Sequence, residues 1–78
     1  MSRNIELEHI LMKAREARDH GYGVLSTGER LAAALVLNRA DWLKEMNYTL
    51  CEAIDRVGPE WVALLRQAQR ILADESEA

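Results

Sequence analysis

The sequence has no phenylalanine, one proline and one cysteine, and aromatic side chains make up only 5% of its 78 residues. Each scarcity excludes something. The lone cysteine, Cys51, permits no intramolecular disulfide, whereas small secreted domains usually rely on several, so a reducing cytoplasm is the expected setting. With few aromatics, the apolar half of the composition is leucine, alanine, isoleucine and valine with two tryptophans, a mixture that favours helix over sheet. Long apolar runs are missing as well. No stretch approaches the ~18 apolar residues needed to cross a bilayer. The start, MSRNIELEHI, carries acids where a secretion signal would be apolar.

Positive charge is also in short supply: ten Lys and Arg stand against thirteen Asp and Glu, a net charge of -3. The signs alternate along the chain until the acidic end, ADESEA. Duplex binding draws much of its affinity from neutralised phosphates, so a nucleic-acid binder of this composition would need a local basic face. A chain this short is one domain, 1–78, whose end at 74–78 is expected to fray. A single core of this size leaves a thin margin over conformational entropy, which makes a homodimer a reasonable outlet for surplus apolar surface.

What is present organises the chain into helices. From Asn4 to about His20, Ile5, Leu7, Ile10, Leu11, Ala14 and Ala17 recur at three-and-four spacing with charges between them, the pattern of an amphipathic helix. Ser2 or Asn4 is placed to cap it and Gly21 to end it. Ser26 followed by Glu29 is a capping-box pattern opening a second helix, Thr27 to about Asn38. Its run Leu31–Leu37 is apolar on every side, which predicts a central helix covered by its neighbours or by a second subunit.

Residues 41–57 admit two readings. Asp41 could cap one long helix with Leu43, Met46, Leu50, Ile54 and Val57 on a stripe. Alternatively, Asn47 ends a short helix and a second capping box, Thr49 with Glu52, opens another. The break is favoured, because Asn, Tyr and Thr in succession form helix poorly and the box gives the backbone amides partners. Gly58 then closes a helix and Pro59 occupies the first position of the next, where its missing amide costs nothing. That last helix is expected to bury Trp61, Leu64, Leu65, Ala68, Ile71 and Leu72. The predicted architecture is all-α, a compact bundle of four or five short helices.

Several motifs invite a chemical reading. The stretch GYGVLSTGE is rich in glycine and hydroxyls, yet a helix precedes it and Glu29 would repel a phosphate. An interhelical corner plugged by Tyr22, Val24 and Leu25 is the expectation. His9 and His20 lie about three turns apart on one helix and cannot share an ion, so His9 is expected as an exposed surface histidine and no metal or other cofactor is assigned. Cys51 sits among Leu50, Ala53 and Ile54 and is expected to pack as a small hydrophobe, with no catalytic set around it.

Two functional readings remain. The first is a non-catalytic cytoplasmic protein that binds a protein partner or itself, as a regulator or adaptor, with Trp42, Met46, Trp61 and Leu65 as the interface candidates. The second treats residues 48–70 as a helix-turn-helix. In it Arg66, Gln67, Gln69 and Arg70 would read base edges in a DNA major groove.

Overall fold

The computed structural model describes residues 4–77; Ser2 as a cap and the last residue of the acidic end lie outside them. Five helices follow in order: α1 Ile5–His20, α2 Thr27–Val36, α3 Ala40–Glu45, α4 Leu50–Val57 and α5 Pro59–Glu77, with no strand among the described residues. The fold is an all-α bundle. None of its helices is long and apolar enough to cross a membrane.

Helix starts are fixed by local hydrogen bonds that satisfy the orphan amides of the first turn. Asn4 Oδ1 accepts from the Leu7 amide at 3.0 Å. Ser26 with Glu29, and Thr49 with Glu52, form complete reciprocal capping boxes. Helix ends are fixed by residues that tolerate positive φ: Gly21 (87°), Asn38 (56°), Asn47 (63°) and Gly58 (93°). Asn47 therefore breaks residues 41–57 into two helices, and the Tyr48 amide turns back to the Leu43 carbonyl at 2.9 Å. Asp41 caps nothing. It lies in the first turn of α3, where its carboxylate takes two hydrogen bonds from Arg39.

α2 is the centre of the bundle and touches all four other helices. Leu31, Ala32, Ala33, Ala34 and Val36 are buried along it, as expected for a helix apolar on every side. Three of the helices around it each bury an alanine completely: Ala14 of α1, Ala53 of α4 and Ala68 of α5 are each 0% exposed. Small side chains there let backbones approach closely, while Ile10 and Leu31, both fully buried, fill the space between.

Two details differ from the sequence reading. Val24 is 77% exposed and plugs nothing. The Arg30 guanidinium donates to the carbonyls of Gly23 and Leu25, closing the corner around Leu25 and leaving Val24 outside. Cys51 is exposed instead of packed, because α4 turns Ala53 toward α2. The acidic end continues α5 as helix to Glu77, with Glu75 held by Arg15 and Arg18 of α1.

Candidate protein-interaction face

α4 is two turns long, and its apolar residues Leu50, Ala53, Ile54 and Val57 cover more of its circumference than its single inward side can hide. Ala53 takes the buried position. Val57 is half-buried, and Leu50 and Ile54, one turn apart, are left 58% and 41% exposed. Both are γ- or β-branched apolar side chains on the same side of a short, well-capped helix, so they form a ridge held in place by the Thr49–Glu52 box.

Leu50 is also one wall of an open groove of about 610 Å³ between the end of α2, α3 and the start of α4. Its apolar lining includes Leu35, Leu43 and Tyr48, and Lys44 and Arg39 contribute its cationic side chains. The charges around it are unequally engaged. Arg39 is closed onto Asp41 at 2.7 Å and lies over the Trp42 ring at 4.3 Å. Glu52 is occupied by the capping box, which holds its carboxyl below the usual range, the Thr49 amide being the main cause. Glu45 accepts from the Tyr22 hydroxyl at 2.6 Å. Lys44 on α3 and Asp55 on α4 are exposed and have no ion-pair partner among the described residues.

The four interface candidates from the sequence do not make this face. Trp42 is buried in the core, with Tyr22 edge-on at 5.1 Å, and so is unavailable as a surface anchor. Met46, Trp61 and Leu65 are half-buried and pack against the same core. Among the described residues, Ile5, Met12 and Val24 are large apolar side chains exposed elsewhere on the surface, and on α4 the exposed pair is Leu50 and Ile54, which the long-helix reading had placed on one stripe with Leu43. Nothing within α4 marks them as outboard, since that depends on how the helix crosses its neighbours.

A second, smaller cleft of about 260 Å³ lies between the starts of α2 and α5 and is lined by His9, Ser26, Glu29, Arg56 and Trp61. His9, expected on the surface, is half-buried: its Nε2 lies 2.9 Å from Glu29 Oε2 and its ring centroid 5.4 Å from that of Trp61. Hydrogen bonding to His9, then to the Ser26 amide, holds the Glu29 carboxyl at about 2. Ser26 and Glu29 use each other's amides and side chains. Among the described residues no three His, Cys, Asp or Glu side chains converge as a metal site would require. Arg56 is the cleft's exposed cation.

On α5, Arg66 and Arg70 lie one turn apart and exposed, opposite the buried Ala68, with exposed Gln67 and Gln69 at the two flanks. α4 and α5 are separated by Gly58 alone, a tighter joint than the three or four residues usual in a DNA-reading helix-turn-helix. Comparison of the chain with protein-family models, with curated proteins and with solved structures gives no match.

Proposed function

We propose that this chain is a small non-catalytic cytoplasmic module, a regulator or adaptor, that works by binding protein through the α4 face. The observation that carries the reading is the Leu50–Ile54 ridge, exposed on a rigidly capped helix and bordering a groove with an apolar lining. Isolated exposed leucines are ordinary on protein surfaces. A pair on one ridge, next to a groove able to admit side chains, is the arrangement that interfaces use.

A photo-reactive residue placed at position 54 in cells producing the chain tests this. Protein adducts are expected from position 54 and not from position 63, an exposed site on α5. Equal labelling from both sites, or none from 54, overturns the reading. The competing function, DNA binding by α5, is supported by the unpaired Arg66 and Arg70. It requires a salt-dependent affinity for mixed-sequence duplex that is lost when both are changed to Ala.

A further inference from the structure

On the reading that the α4 face binds protein, we infer that its occupant is a second copy of this chain, docked about a two-fold axis so that each α4 ridge enters the other copy's groove. Two observations lead there. The ridge and the groove are neighbours that share Leu50, which lies on α4 and lines the groove wall. A convex feature beside a concave one on the same face is self-complementary: rotation by half a turn near Leu50 sets each ridge opposite a groove. Such an isologous contact doubles every interaction it makes.

The charges left over on this face match across the axis. Asp55 is one turn beyond Cys51 on the outward side of α4, and Lys44 stands on the groove. Each is exposed and unpaired among the described residues, as is Arg56 beside Asp55, whereas Arg39 is engaged with Asp41, Glu45 with Tyr22 and Glu52 with the α4 cap. Docking the ridge in the groove carries the Asp55 of one copy toward the Lys44 of the other, twice. A heterologous partner would have to supply both an acid and a base with this spacing, while a second copy carries them already.

Cys51, exposed next to Leu50 on the ridge, lies near the axis and close to its symmetry mate.

Sedimentation equilibrium of the full chain, from micromolar to submillimolar concentration, tests the proposal. Wild type is expected to show a monomer–dimer equilibrium, and Ile54→Asp is expected to be monomeric throughout with unchanged helical circular dichroism. Lys44→Asp and Asp55→Lys should each weaken dimerisation at least about tenfold, since each turns two attractions into repulsions. The double variant Lys44→Asp/Asp55→Lys should recover most of the loss, a rescue that misfolding cannot mimic. A short bismaleimide should link Cys51 to Cys51 in wild type and not in Ile54→Asp. A wild type that stays monomeric overturns the proposal, as does a dimer indifferent to Ile54→Asp or to the charge exchange. Those results separate from failure of the broader reading. Adducts from position 54 to a protein of different mass, with a monomeric chain, remove the second copy and leave the interaction face; no adduct at 54 removes both.

Discussion

His9 Nε2 lies 2.9 Å from Glu29 Oε2, joining the first turns of α1 to the start of α2 across twenty residues of sequence. The carboxylate is at once the N3 member of the α2 capping box and the acceptor for the imidazole. One residue thus fixes where α2 starts and where it sits on α1.

Stability should therefore fall in acid through Glu29. Its carboxyl goes from the ordinary 4.5 to about 2 in the folded chain, with the His9 hydrogen bond as the leading cause. A depressed folded pKa gives stability that is complete above the ordinary value and is lost as pH falls from there toward about 2. His9→Ala removes the leading cause. It should lower stability at neutral pH by about 1–2 kcal/mol in urea denaturation and move the acid unfolding midpoint upward. His9→Gln keeps a donor and should fall between. Identical acid midpoints for all three proteins would mean the contact contributes nothing in solution.

Gly58 and Gly28 separate backbone strain from space. A Cβ at either position would meet nothing within 4 Å, but Gly58 holds φ at 93°. Gly58→Ala should cost about 1–3 kcal/mol, all of it conformational. Gly28, in the first turn of α2, has no such constraint, and Gly28→Ala should gain about 0.5 kcal/mol by lowering unfolded-state entropy. Equal effects in chemical denaturation would contradict the left-handed joint between α4 and α5.

These contrasts explain what could be read from the sequence. Helix boundaries were legible because their causes are local: Ser26–Glu29 and Thr49–Glu52 are three residues apart, and Asn47 and Gly58 act on their own φ. The exposed α4 ridge was not, because exposure depends on how helices cross. Trp42 and Ile54 are both apolar residues on short helices, and nothing within either helix tells that α3 turns its tryptophan toward Tyr22 while α4 turns Ala53 inward. His9 was placed on the surface for the same reason. Its partner Glu29 already had a role in its own capping box, and a carboxylate with two acceptor oxygens served both.

Close helix approach at alanine predicts asymmetric tolerance along α5. Ala68 is 0% exposed at the contact with the core, while Ala63 on the same helix is exposed. Ala68→Leu adds three carbons where none fit and should destabilise by about 1–3 kcal/mol or prevent folding. Ala63→Leu should change stability by less than about 0.5 kcal/mol. Urea midpoints decide it; a tolerated leucine at 68 would show that α5 stands further from the core than a fully buried alanine requires.

The end of α5 should unzip when Glu75 loses its charge. Arg15 donates to both Glu75 oxygens and Arg18 to one, and these contacts hold the Glu75 carboxyl below its ordinary value, Arg15 being the main cause. Residues 73–76 are otherwise exposed and bury little apolar surface, so the two arginines are what holds this turn to α1. Glu75→Gln should raise amide exchange of residues 73–76 severalfold and leave Ala68 and Leu72 protected, a local opening in place of global loss. Because the pair is solvent-exposed, about 1 M salt should produce much of the same effect in wild type. Lowering the pH through the depressed Glu75 range should do so as well, since the pair exists only while the carboxyl is ionised. Exchange at 73–76 that ignores substitution, salt and pH together would mean that helix propensity alone carries α5 to Glu77.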